Sequence, residues 1–393
     1  MMGAVGNAPT ACMNGADMGQ PGPLVTVNRE GAVGMRMVSL SRPGIDQYFL
    51  TATPRSGRFG QTLQETADLL EKRNATVVAQ DIFAPVNGPE DCREILSQVG
   101  RPINWPVTWV QSGHGHGSTL GGIVTHAISG PSVEQIRVGG RVVASVYEDQ
   151  DAKYCRLGDI RSAETTGERT VQAADTFEMI ETVLRSAGMN LSDLLRTWLY
   201  LDELLSWYDS FNEVRTDFLR NRDMFGRLVP ASTGISGANP FGAAVMAGAL
   251  GVRAKSDAFG ATAVASPLQC PALEYGSSFS RAMEFGTPNL RYLTVSGTAS
   301  IEPGGETAHL DDIDGQIDLT MRVVQAILES REMAWDNAVR VIAYVKQAGY
   351  APALERYCAA RGLSDLPMIV TENHICRDDL LFEIEADAVL VKA

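Results

Sequence analysis

Apolar and polar positions alternate most regularly at the end of the chain, along residues 382–391. Side chains on a strand point to opposite faces with period two. Phe382, Ile384, Ala386, Ala388 and Leu390 therefore share one apolar face, and Glu383, Glu385 and Asp387 share the other, completed by Val389 and Val391. Three acids on one strand face repel one another when ionised, which raises the pKa of at least one of them. A carboxyl that keeps its proton near neutral pH serves as a general acid. The same pattern also suits a solvated acidic face on an edge strand.

Upstream, one order of elements recurs three times. The first copy has strands around a turn near Glu30-Gly31, a strand at 48–53 and a Gly-rich loop at 56–60. A helix at 61–73 follows, with Leu63, Ala67 and Leu70 at helical spacing. A strand at 76–83, a helix from Pro89 to about 99, a strand at 107–110, a loop at 112–118 and a strand at 122–128 close it. The second copy has a helix at 170–187, a strand at 193–201, a helix at 207–222, a loop at 230–235 and a strand at 243–252. The third has a strand at 291–300, a helix at 315–329, a strand within 336–345, a helix at 351–361, a short segment at 367–370 and the acid-bearing strand. Each copy reads β, loop, α, β, α, β over roughly 100–120 residues. This predicts an α+β fold: one curved sheet per unit, both helices on one face, and three units closed around a shared centre. The expected boundaries are a disordered tail at 1–23 and units at 24–145, 146–260 and 270–393. Clefts between such units are natural ligand sites.

Composition narrows the function. The chain has 393 residues, 45% hydrophobic and 20% charged, with a net charge of −14. That balance opposes a nucleic-acid groove, which needs a basic stripe, and an anionic membrane surface. No apolar run reaches the length of a membrane span. The first two dozen residues lack the basic start and apolar core of a secretion signal. The cysteines (Cys12, Cys92, Cys155, Cys270, Cys358, Cys376) are scattered, without a CxxC pair, which fits free thiols in a reducing cytoplasm. His114 and His116 lie among glycines with no third ligand nearby; a flexible loop is the plainer reading than a metal site.

The order of elements, with particular residues, resembles the RidA/YjgF (endoribonuclease L-PSP) superfamily, whose α+β unit is similar to chorismate mutase and packs as a trimer with sites between subunits. The chain looks like three such units in tandem, the first strongly diverged. Residues 195–200 (Leu-Arg-Thr-Trp-Leu-Tyr), Phe211-Asn212-Glu213 and residues 230–235 (Pro-Ala-Ser-Thr-Gly-Ile) resemble the middle of the chorismatases, tandem relatives that cleave chorismate to pyruvate and a cyclic acid. Ser278-Phe279-Ser280-Arg281-Ala282, Ser296-Gly297-Thr298, His309, Gln316 and residues 376–385 resemble their C-terminal part.

The resemblance implies Glu383 as the catalytic acid with Cys376 beside it. It implies Arg281, Arg196, Gly297, Tyr344, Lys346, Arg377 and Gln316 around the substrate. Gly297 with Cys376 is similar to the 3-hydroxybenzoate-forming branch. Two departures stand out. The basic residue that often precedes the tyrosine of the central strand is absent from residues 341–344 or moved to Lys346, and a Tyr-Arg pair on the middle helix is replaced by Arg215-Thr216. Neither Pro230-Ala231-Ser232 nor Pro367-Met368 keeps the arginine with which single-unit relatives hold a carboxylate during enamine hydrolysis.

Protonating the terminal carbon of an enol ether requires a positioned acid in a dry pocket. Only the third unit carries a carboxylate on its last strand, so one active site per chain is expected. The leading expectation, from the resemblance, is a chorismatase-like enzyme that releases pyruvate from chorismate or a similar enol ether, a small carboxylate, with no cofactor and no metal. A hydrolase or deaminase on another small carboxylate and a non-catalytic small-molecule binder are the alternatives. The internal threefold leaves both a monomer and a further homo-oligomer open.

Overall fold

The computed structural model describes residues 25–113 and 120–392, so the expected tail and the His114/His116 pair lie outside the described residues. Unit one comprises β1 (Thr26–Ala32), β2 (Met35–Arg42), β3 (Ile45–Ala52), α1 (Phe59–Glu71), β4 (Thr76–Ala84), α2 (Pro89–Ser97), β5 (Val107–Gln111) and β6 (Gly122–Ser129). Unit two repeats the order with β7 (Glu134–Val138), β8 (Arg141–Glu148), β9 (Ala152–Ile160), α3 (Arg169–Ser186), β10 (Leu194–Leu201), α4 (Tyr208–Arg220), β11 (Ala231–Ser236) and β12 (Val245–Ala254). Unit three follows with β13 (Gly260–Val264), β14 (Ala282–Thr287), β15 (Leu290–Ala299), α5 (Ile313–Glu329), β16 (Ala338–Val345), α6 (Ala351–Ala360), β17 (Met368–Glu372) and β18 (Phe382–Val391).

Each sheet has six strands in one shared order, β1-β2-β3-β6-β4-β5 and its two counterparts. The last strand of each unit lies at the centre, between the third and the fourth. Only the fourth and fifth strands run parallel, joined by the second helix. The expected α+β units are present, with several differences. The turn expected near Glu30-Gly31 lies at 33–34, because β1 runs on to Ala32. β8, β9 and β14 add strands beyond those expected. The stretch at 231–235 is an edge strand and not a loop. The expected boundary at 145/146 falls inside β8, because an exposed hairpin, β7–β8, opens the second sheet at Glu134. β7 and β13 are short and largely exposed, so they carry little apolar signal.

One face of each sheet packs on its own helices. In unit three, Phe382, Ile384, Ala386 and Ala388 meet Ile317, Met321, Val324 and Leu328 of α5 and Leu354 of α6. Each of the larger side chains among them, fully buried, contributes about 1.5–3 kcal/mol. The other faces turn inward toward each other. The fifth strand of each unit packs on the third strand of the next: β5 on β9, β11 on β15, β17 on β3. The chain thus closes a ring with threefold pseudosymmetry.

Phe83, Tyr200 and Tyr344 hold equivalent register positions on β4, β10 and β16. Their rings meet edge to face, Phe83 lying 5.6 Å from Tyr200 and 6.1 Å from Tyr344. Nearby, each unit contributes one stacked cross-strand pair: Phe49–His126 at 4.9 Å, Tyr147–Tyr154 at 4.8 Å and Phe285–Tyr292 at 5.2 Å. These pairs wall an axial chamber of about 90 Å³ shared by all three sheets. Among the described residues, no helix is long and apolar enough to cross a membrane.

Candidate active site

A second cavity, of about 200 Å³, lies in the cleft between units two and three. Unit two supplies Tyr208, Asn212 and Arg215 from α4 and Ser232 from β11. Unit three supplies Arg281, Gly297, Cys376 and Glu383. α4 is fixed in place because Phe211 and Phe218 pack on Phe177 of α3, with ring separations of 5.9 and 5.2 Å. Asn212 and Arg215, one helical turn apart, line the cleft together.

The three acids of β18 have three different environments. Glu385 is fully buried and accepts from Arg196 Nη2 (2.9 Å), Trp198 Nε1 (2.9 Å), Thr233 Oγ1 and Arg340 Nη2. Asp387 accepts from Thr294 Oγ1 (2.6 Å) and Arg340 Nη1 (3.0 Å) and borders the axial chamber. Glu383 is 4% exposed and faces the cleft. Among the described residues its carboxyl forms no hydrogen bond and no ion pair. Burial pushes it up to about 8, and the Glu385 charge adds to the rise; Arg196 and Arg281 pull the other way. A carboxylic acid that is still protonated at neutral pH thus borders a polar cavity.

Gly297 makes room for it. β15 bulges between Val295 and Thr298 opposite β18. A Cβ on Gly297 would stand 2.0 Å from Glu383 Oε1, so no larger residue coexists with this carboxyl position. Cys376 also lines the cavity; burial first, then the Glu383 charge, push its thiol up to about 12. It is a neutral wall group, not a thiolate nucleophile.

Three guanidinium groups border the cavity. Arg281 donates to the Cys270 carbonyl through Nε (3.0 Å) and Nη2 (2.8 Å). Arg377 Nη1 donates to the Gly305 carbonyl (2.6 Å). Arg215 Nη2 donates to Asn212 Oδ1 (2.7 Å), and the Phe279 ring lies 5.8 Å from Arg215 and 5.5 Å from Arg281. Arginine presents a planar fork to a carboxylate.

The structure therefore brings Glu383, Cys376, Arg281, Gly297 and Arg377 together. It places the other sequence-expected residues elsewhere. Arg196 is spent on Glu385 beneath the cavity. Tyr344 is fully buried at the centre of the ring. Gln316 holds the loop before β18, donating to the Asp379 carbonyl (2.9 Å) and accepting from Leu381 N (2.8 Å). Lys346 pairs with Asp378 (2.8 Å) outside the cavity. The cation of the central strand is instead Arg340, which reaches Glu385 and Asp387. Asn212, Arg215 and Phe279 stand in the stretches compared with the chorismatases but were not expected around the substrate, and Tyr208 carries no signal of its own; the three-residue spacing of Asn212 and Arg215 is a helix-face signal.

The other two clefts lack the acid. Met246 and Gly122 occupy the register position of Glu383 in units two and one. In the cleft between units one and two, Asp159 stands in the β9 bulge where Gly297 stands in β15. It is tied to Arg141 (2.8 Å) and Arg161 (2.9 Å). In the remaining cleft, Ile369 Cγ2 would lie 2.6 Å from a Cβ on Gly122, so the space is filled. Among the described residues, no group of three or more His, Cys, Asp or Glu side chains is arranged to hold a metal ion.

Fold and cleft together define an α+β chain of three tandem units with a chorismatase-like fold. No family model matches it. It is similar to a chorismatase of Streptomyces hygroscopicus, 28% identical over 254 residues, spanning 58% of this chain and 70% of that protein. A 3-hydroxybenzoate synthase of the same organism is 27% identical over 238 residues, 53% of this chain and 65% of that protein. The crystal structure of a chorismatase superposes with a TM-score of 0.62 at 20% identity, covering 80% of this chain and 93% of that one, a likeness of fold.

Proposed function

We propose that the chain is a chorismatase-like enzyme that releases pyruvate from chorismate or a similar enol-ether carboxylate, with Glu383 as general acid. The observation that carries this reading is the Glu383 carboxyl. It is buried, free of partners among the described residues and pushed up to about 8, and it faces a cavity bordered by Arg215, Arg281 and Arg377.

Glu383 gives its proton to the terminal methylene carbon of the enol ether. A C–H bond forms from the double-bond electrons, leaving an oxocarbenium ion and a Glu383 carboxylate. Water, or a hydroxyl of the substrate ring, adds to that cation, and its proton returns to Glu383. Collapse of the water adduct, a hemiketal, frees pyruvate and a dihydroxycyclohexadiene acid. In the ring-hydroxyl adduct the ring C–O bond of that hydroxyl breaks, its oxygen leaves as the ketone of pyruvate, the ether oxygen stays on the ring, and loss of a ring proton gives the aromatic 3-hydroxybenzoate. The guanidinium groups hold the substrate carboxylates through paired hydrogen bonds. The buried site keeps bulk water from the cation. The similarity to a 3-hydroxybenzoate synthase supports that acid as the ring product.

The test is to incubate the protein with chorismate, follow pyruvate, and identify the ring product by mass and ultraviolet spectrum. Pyruvate with 3-hydroxybenzoate is expected, and Glu383→Gln should slow its formation by about 10²–10⁴-fold. A tightly bound ligand recovered unchanged would replace this reading with that of a binding protein.

A further inference from the structure

Thr233 stands where three elements of two units meet. It lies on β11 of unit two and is buried. Its hydroxyl accepts from Gly297 N of β15 (2.9 Å) and from Arg196 Nη2 of β10 (2.6 Å), and it donates to Glu385 Oε2 of β18. One oxygen thus contacts both the bulge beside the Glu383 carboxyl and the charged neighbour two residues along its strand.

The internal repeat provides a comparison. By register, Thr233 corresponds to Thr108 on β5 and Ile369 on β17. Thr108 Oγ1 accepts from Asp159 N (3.3 Å), the bulge residue of the neighbouring β9. A threonine hydroxyl therefore pins the bulge in two clefts; in the third, Ile369 faces β3, which pairs with β6 without a bulge. Only in the cleft of units two and three is the pinned residue a glycine lying against a carboxyl. A Cβ there would meet Glu383 Oε1 at 2.0 Å and Thr233 Cγ2 at 3.1 Å, so the two side chains flank one recess.

We propose that Thr233, contributed by unit two, is a positioning residue for the acid of unit three: its hydroxyl fixes the Gly297 bulge and the Glu385 carboxylate together, and so holds the shape of the recess that receives the Glu383 carboxyl. The inference rests on Glu383 being the acid.

The groups that face Glu383 come from several elements. They are Glu385 on its own strand, Arg196 on β10, Arg281 before β14, Cys376 and Arg377 before β18, and Arg215 and Asp209 on α4. Thr233 touches two of them. Removing its hydroxyl takes one donor of four from Glu385 and lets the bulge relax, admitting water. Burial is the first cause of the raised proton affinity of Glu383, so a wetter recess lowers it.

The experiment uses the full chain labelled with carboxyl-¹³C glutamate. Infrared spectroscopy follows the protonated-carboxyl band across pH, assigned to Glu383 by its loss in Glu383→Gln, while kcat and KM are measured with chorismate. Thr233→Val should lower the titration midpoint by about one pH unit and kcat by about tenfold, with KM moving less than about threefold. Thr233→Ser should restore both. Thr233→Ala takes the place of valine should valine not be accommodated. An unmoved midpoint and kcat in the hydroxyl-free variant overturns the proposal, as does a Thr233→Ser variant as impaired as Thr233→Val. A wild-type protein with no such band at pH 7 overturns the acid assignment itself, whereas a band that is present but indifferent to Thr233 overturns only the positioning role.

Discussion

Arg196 of unit two and Glu385 of unit three meet with Nη2 2.9 Å from Oε2, and neither side chain has solvent exposure. Removing one partner of such a pair leaves a buried charge without its counter-charge, which is costlier than the pair itself is stabilising. Arg196→Met should therefore destabilise the chain by about 3–5 kcal/mol in urea unfolding. The double variant with Glu385→Gln should cost less than the two single changes added together, because the residues share one network.

Glu383 should set the alkaline limit of activity. Its acid form prevails below about 8. The rate with chorismate should be flat through neutral pH and fall about tenfold per unit above that point. Glu383→Gln should lower kcat by about 10²–10⁴-fold at pH 7 and abolish that limb. A pH–rate profile checks both.

The same group links stability to pH. Its pKa is raised from 4.5 to about 8 on folding, so between those values the folded chain holds a proton that the unfolded chain has released. Stability must fall as pH rises through this window, by an amount of order 4–5 kcal/mol. Glu383→Gln should flatten the decline and be the more stable protein at pH 9, as measured by denaturant midpoints.

Gly297→Ala should separate folding from chemistry. The atom in conflict, Glu383 Oε1, is the end of a flexible side chain, so the fold yields by moving the carboxyl. Thermal stability should change little. A reacting group displaced by about 1 Å costs on the order of a hundredfold in rate, so kcat should drop well before the melting temperature does.

His126 should make the chain acid-sensitive. Burial, aided by Arg156, pushes it down to about 3 from an ordinary 6.5. The unfolded chain takes up that proton first, so stability present above 6.5 is lost as pH falls toward 3. His126→Phe keeps a ring against Phe49 and should blunt the loss in melting temperature between pH 6.5 and 4.

The repeat and the acid-bearing strand were legible because both rest on periodicity. Phe382, Ile384, Ala386 and Ala388 mark a helix-covered face, and the core clusters follow it. β7 and β13 escaped notice because short exposed strands carry no alternation to read; β8, β9 and β14 escaped it because strands buried on both faces lose the alternation too. The site was half legible. Glu383, Gly297, Cys376 and Arg281 sit in motifs along unit three. Arg215 and Thr233 belong to unit two, and only the packing of β11 on β15 makes them neighbours of Glu383. Arg196 looked like a ligand for a substrate carboxylate because a sequence does not show that the protein supplies the carboxylate itself, from Glu385.

The ring of three joined units has a consequence for how such a protein can change. In an assembly of identical copies, a substitution appears at every corner at once, and a residue that improves one cleft alters all of them. Covalent joining removes that constraint. Met246 stands at one corner and Ile369 packs against Gly122 at another, while the third combines an acid from one unit with Arg215 and Thr233 from its neighbour. Unit three carries the acid, yet cut from the chain it would keep only half of the cleft around it. The smallest piece that holds the complete site is a pair of adjacent units.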